Sequence, residues 1–268
     1  MAGRVSQARF DELVASEFAV QPLTIGIPLR EADVVPLPPP VQRYVRASGT
    51  IGKPRPQNVR FEFDAVMRRK PGDAGMAASS IQFNFFARPA RLFLMKARMY
   101  GLPVRALHVY LAEQATFQVR IASLVDMIDQ SGEQISRAET VTVLNDLCAF
   151  APGALVDERL AWRPIDDRSA AATFTNGTQQ VSATLIFGAD DQLVDFWSDD
   201  RPDTSSGKPV PMRWSTPLGG YQVFDGIRVP TQGSTVYARP EGPFTYGEFT
   251  LRSIAWNIAS PDGPSRSR

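Results

Sequence analysis

The sequence predicts a mainly β protein: a curved antiparallel sheet of about 11–12 strands, a half-barrel or barrel, wrapped around one central α-helix, with short helices before it. Three observations lead there. Hydrophobicity alternates with a period of two over most of the chain from Asn58 to Asn257. A single long stretch, Ser131 to Leu155, carries a helical period and a stop signal instead. So many strands in sequential order cannot lie flat as one open sheet, so the sheet must curl.

The first 57 residues read as an arm on the body. Ser6 can cap a short helix over residues 7–17, with Phe10, Leu13, Val14 and Phe18 on one side. A proline-punctuated stretch from Gln21 ends in the stiff run Leu37 to Pro40. It hands over to a second short helix, VQRYVRASG, with Gly49 suited to the exit.

From Asn58, five runs place apolar residues at odd positions: Val59 to Met67, Ile81 to Ala87, Phe93 to Met99, Leu107 to Leu111, and Phe117 to Val125. The even positions carry Arg60, Glu62, Gln82, Asn84, Lys96, Arg98 and Arg120, so one face is expected to be apolar and the other wet. Turns fall at Pro71–Gly75, Arg88–Ala90, Gly101–Pro103 and Ala112–Ala115.

The helix has two possible openings, Ser131 with Gln134 or Ser136 with Glu139, and must stop at Pro152. Val141, Val143, Leu144, Leu147, Cys148, Phe150 and Ala151 cover about half its circumference, a wider stripe than a flat surface requires. The other side collects Glu139, Thr142, Asn145 and Asp146, with no Lys or Arg between Ala138 and Ala151 to pair with the two carboxylates. Either that stripe faces water, as charged faces usually do, or a cation from another segment meets it, Arg201 being one candidate.

Beyond the helix, Thr175-Asn176-Gly177-Thr178 signals a two-residue hairpin that pairs Ala172 with Val181 and Ala170 with Ala183. Further strands are expected at 160–165, 193–199, 211–215, 233–238 and 244–256, making residues 58–257 one half-barrel domain. Residues 258–268 read as a disordered tail.

Composition narrows the chemistry. A net charge of +1 gives no field suited to nucleic acid. The first residues lack the apolar core of a signal peptide, and no run is long enough to span a membrane, so the expected compartment is the cytoplasm. One His and one Cys do not make a zinc set, and the acids Asp190, Asp191 and Asp195 to Asp200 lack calcium-loop spacing. No metal, cofactor or catalytic residue is assigned. His108 falls on the even, wet face, and Cys148 on the apolar side of the helix.

Four runs carry a resemblance: LPPPVQRYVRASG, ETVTVLNDLCAFAPGALVD, VSATLIFGADDQLVDFWSDDR and RWSTPLGGYQVFDGIRVP with PEGPFTY. In that order they resemble a bacterial family catalogued as a domain of unknown function, over about Leu37 to Asn257. The resemblance implies membership and no activity. Many members begin with membrane-spanning segments, which are not expected here. By layout the chain is similar to half-barrel carriers of lipoproteins and lipids in the bacterial envelope, and none of their motif residues can be matched.

The resulting expectation is a cytoplasmic or membrane-peripheral protein that holds an apolar small molecule or lipid between the concave sheet face and the helix. Apolar contacts would come from Met67, Phe83, Phe85, Phe93, Met95, Met99 and Phe117, an adaptable Met and Phe surface. Glu139, Asn145, Asp146 and Arg201 would supply polar contacts. Two alternatives stay open. One is an enzyme acting in the same cavity with Glu139 or Asp146 as base, recognisable by a raised carboxyl pKa. The other is a partner-binding module that uses the proline arm or a sheet edge.

Overall fold

The computed structural model describes residues 5–122, 125–204 and 209–262. Helix α1 (Gln7–Val20) opens on Ser6, whose hydroxyl accepts from the Arg9 amide at 3.1 Å. A short α2 (Glu31–Val34) and α3 (Pro39–Ala47) follow, and Gly49 leaves α3 with φ +76°.

The sheet begins with a meander: β1 (Asn58–Met67), β2 (Met76–Phe85), β3 (Ala90–Met99), β4 (Leu102–Leu111), β5 (Gln114–Ile121) and β6 (Val125–Ser131). The long helix α4 (Glu133–Phe150) comes next, ended by the Pro152–Ala154 turn. It is followed by β7 (Leu160–Asp166), β8 (Ser169–Asn176), β9 (Gln179–Phe187) and β10 (Leu193–Ser198). Short pieces β11 (Trp214–Ser215), β12 (Leu218–Gly219), β13 (Gln222–Phe224) and β14 (Ile227–Val229) lead to β15 (Gln232–Arg239) and β16 (Gly242–Trp256).

Among the described residues the main sheet has 14 strands in the order β6-β5-β4-β3-β2-β1-β16-β15-β11-β10-β9-β8-β7, with β12 beside β15. It is therefore an open half-barrel with β6 and β7 at its edges. The expected strand count was low because β6 read as part of β5 and the short pieces carry no periodic signal. Purely sequential order fails at two places: the last strand lies in the middle, with Phe61 opposite Ile254 on one side and Tyr237 opposite Phe244 on the other, and β15 pairs directly with β11. The hairpin register also differs. Asn176 faces Gln179 and Ala172 faces Ala183, so Gly177 and Thr178 form the turn, with Gly177 alone at positive φ. A Cβ on Gly177 would strike the Glu113 carboxylate, which accepts from the Thr178 amide at 2.7 Å.

Helix α4 lies in the concavity and is buried on both its sides, so the polar stripe does not face water. Neither expected Ser cap forms. The N-cap is Gly132 at φ 102°, while Ser136 Oγ donates to the Gly132 carbonyl and accepts from the Ala115 amide. The apolar side packs with Tyr44 of α3, Phe61, and Phe174, Val181, Leu185 and Phe196 of the C-terminal strands in one continuous core. Tyr44 OH donates to the Cys148 carbonyl at 2.8 Å, and Trp256 Nε1 to that of Phe150, tying both helix end and arm into the body.

A second core lies on the convex face, where Phe10, Val14 and Phe18 of α1 cover Phe83, Phe85, Leu92, Leu94 and Leu107. Ile258, expected to begin the tail, is buried there, with its backbone exchanging hydrogen bonds with the Asn58 side chain. Residues 263–268 of the expected tail lie outside the described residues.

Candidate functional site

Residues paired across an antiparallel ladder share a face. Phe61 pairs with Gln82, Gln82 with Phe93, and Phe93 with His108, so all four project into the concavity. Asn84 and Arg91 pair and join them. On the facing helix, Glu139, Thr142, Asn145 and Asp146 recur within two turns and therefore line one side.

The two sets meet. Arg91 Nη1 donates to Glu139 Oε2 at 3.1 Å, its Nε to Asp146 Oδ2 at 2.9 Å, and its Nη2 to Gln82 Oε1 at 3.0 Å. Asp146 also accepts from Gln82 Nε2 at 2.6 Å and Asn84 Nδ2 at 3.0 Å. From the other half of the sheet, Arg201 donates from Nε to Thr142 Oγ1 at 3.2 Å and reaches to 3.8 Å from Glu139. Its guanidinium is held 4.6 Å from the Trp214 ring centroid and donates to Tyr237 OH. Two cations thus meet two carboxylates in a buried layer between helix and sheet.

His108 Nδ1 lies 3.2 Å from Glu139 Oε1, and its ring packs edge-on to Phe117. Burial pushes the imidazole down, Glu139 pulls it back only in part, and Arg91 and Arg201 add to the depression. Burial pushes the Glu139 carboxyl up, but the facing His108, Arg91 and Arg201 outweigh it and hold it well below the usual carboxylate range. An ionised, charge-paired Glu139 is the reverse of the raised carboxyl expected of a general base.

Beside this layer a cavity of about 1290 Å³ lies between helix and sheet. Its wall is apolar where β3, β4 and β5 bring Phe93, Met95, Met99, Val104, Ala106, Phe117 and Val119, with Met67 and Phe249 packed beside Phe93 and Met95. Its floor is the polar layer of Gln82, Arg91, His108, Glu139, Asn145, Asp146 and Arg201.

Of the residues expected from the sequence, Met67, Phe93, Met95, Met99 and Phe117 line the cavity, as do Glu139, Asn145, Asp146 and Arg201. Phe83 and Phe85 do not. They lie on the convex face, where Phe18 meets Phe85 at a centroid distance of 5.0 Å. In β2 and β4 the even positions face inward, because the turns before them reset the parity while α1 makes the outer face apolar as well. The same inversion carries Gln82, Asn84 and His108 from the expected wet face into the interior. Arg91 went unnoticed for want of any motif. Two signals were available: two carboxylates on α4 without a cation between Ala138 and Ala151, and the apolar stripe of α1, which needs a second apolar surface to cover.

Among the described residues no three His, Cys, Asp or Glu side chains gather as metal ligands would. No described helix is long and apolar enough to cross a membrane.

Residues 28–249 match a family described as a family of unknown function, DUF6544. No curated protein matches the chain. Among solved structures, the chain is similar to a LolA superfamily protein from Nitrosomonas europaea at 10% identity and a TM-score of 0.44, covering 81% of this chain and 93% of that one. It is also similar to a domain described as an outer membrane lipoprotein-sorting protein from Vibrio parahaemolyticus, at 7% identity and a TM-score of 0.43, covering 74% and 85%.

Proposed function

The chain belongs to this family of unknown function, and within it we propose that it binds an amphipathic small molecule or lipid in the cavity between sheet and helix. The observation that carries the reading is the division of one cavity into an apolar wall and a charge-paired floor. An apolar chain would lie along Phe93, Met95, Met99 and Phe117, and a polar group would meet Arg91, His108 and Arg201. At about 1290 Å³ the space exceeds the roughly 300–1,000 Å³ of drug-sized sites, which favours a ligand with a long or branched apolar part. Each buried methylene would contribute about 0.8 kcal/mol, so affinity should grow with chain length.

The test is native mass spectrometry of protein purified without detergent, followed by extraction, and then titration of the stripped protein with fatty acids of increasing length. A stoichiometric apolar adduct, or affinity rising with length and blocked by Ala106→Trp at the apolar wall, is the expected result. No adduct, together with no uptake of any probe, would overturn the proposal.

A further inference from the structure

Resting on the cavity reading, we infer that the mouth of the cavity is a docking surface for a membrane bearing anionic headgroups. The cavity reaches the surface among the tips of the β1–β2, β3–β4 and β5–β6 hairpins, since Arg69 and Tyr100 line it while being exposed. The last two of these tips are joined: the Ala122 amide donates to the Pro103 carbonyl at 2.8 Å. They hold large apolar side chains out into solvent, Tyr100 at 89% exposure, Val125 at 59%, Leu102 at 51% and Met127 at 44%. Side chains with apolar bodies clustered on hairpin tips, around an opening that leads to an apolar wall, suit insertion into the headgroup region.

Charge selects the partner. The chain as a whole carries +1, yet residues 96–105 hold Lys96, Arg98 and Arg105 with no acid, and the neighbouring tip holds Arg68, Arg69 and Lys70 against Asp73. The third tip, 121–131, holds Asp126 and Asp129 with no base, so the three tips together keep six bases against three acids; Arg69 lies 3.8 Å from Asp73, and Asp129 accepts from Gln118 Nε2 at 3.1 Å. Among the described residues no carboxylate forms an ion pair with Lys70, Lys96 or Arg98. A ligand could then pass between bilayer and cavity without its apolar part crossing water.

The experiment is co-sedimentation of the full chain with vesicles of phosphatidylcholine alone and of phosphatidylcholine mixed with phosphatidylglycerol, at low and high salt. Binding to the mixed vesicles, weakened by salt, is expected. Each basic side chain near an anionic surface contributes about fivefold, so K70A/K96A should weaken binding about 25-fold. Leu102→Ser with Val125→Ser should weaken it further. None of these four side chains lines the cavity, so uptake of a fluorescent fatty acid from solution should be unchanged. Equal binding to both vesicle types, or variants that bind like the parent, would overturn the inference. No vesicle binding despite normal fatty-acid uptake would also overturn it and assign the rim to a protein partner. Vesicle binding without uptake in any variant would instead sink the cavity reading alone.

Discussion

Replacing Arg91 with Met should cost about 3–5 kcal/mol, because removing one partner of a buried ion cluster strands the charge that remains. The Arg91 side chain is 9% exposed and donates to Glu139, Asp146 and Gln82. Loss of those bonds leaves Glu139 with His108 at 3.2 Å and Arg201 at 3.8 Å, and Asp146 with two neutral amide donors and no cation. Asp146 is therefore the more exposed to the change. At about 2–4 °C per kcal/mol for a chain near this size, Tm should fall by roughly 6–20 °C. Urea unfolding followed by tryptophan fluorescence measures it, since Trp214 is buried beside Arg201 in the same layer. Asp146→Asn removes the stranded charge, so R91M/D146N should be more stable than the sum of the single effects predicts, by about 0.5–3 kcal/mol of coupling. A cost for R91M below about 1 kcal/mol, in the range of surface pairs, would refute the burial argument, and strict additivity would refute the pairing.

Three other outcomes follow from the same geometry. Phe85→Ala should cost about 3–5 kcal/mol by opening the α1 interface while leaving fatty-acid uptake unchanged, whereas Phe117→Ala should weaken uptake about tenfold at smaller cost in stability; reversed outcomes would return Phe85 to the cavity. His108 is depressed below its ordinary 6.5, so its contribution is fully present above that pH and is lost as pH falls through 6.5 towards the folded value; the depressed Glu139 adds a second loss below about 4.5. H108N should abolish the first slope in unfolding free energy against pH and keep the second. Cys148, fully buried with its thiol pushed up by burial, should resist a thiol reagent until the protein unfolds; labelling of native protein would mean that α4 leaves the concavity.

The half-barrel and its helix were legible because each rests on long-range periodicity. The C-terminal end of α4 follows from Pro152, and the alternation in β1, β3 and β5 gave the inward face directly. Parity across turns was not legible. Alternation identifies two faces of a strand but not which one continues the face of its neighbour, and in β2 and β4 both faces are covered, so polarity could not decide. His108, Gln82 and Asn84 went to the wrong side for that reason alone. The position of β16 between β1 and β15 was hidden for a different one: pairing between the first and last strands depends on closure of the whole chain, to which no local pattern is sensitive.

The buried polar stripe of α4 also explains why there is a cavity to fill. A helix apolar all round would settle against the Phe93, Met95 and Met99 wall of β3 as closely as it does against β5 at Ala115 and against β9, and dispersion would reward the contact. Glu139, Thr142, Asn145 and Asp146 prevent this, since each must keep its hydrogen-bond partners and those partners sit at fixed places on β2, β3, the Arg201 loop and Thr216 beyond β11. The charge layer thus acts as a spacer: it joins helix to sheet at one level and holds them apart beside it. Isosteric neutralisation of all four ions would remove the electrostatic reason for that spacing, and the cavity would be expected to shrink even where overall stability rose.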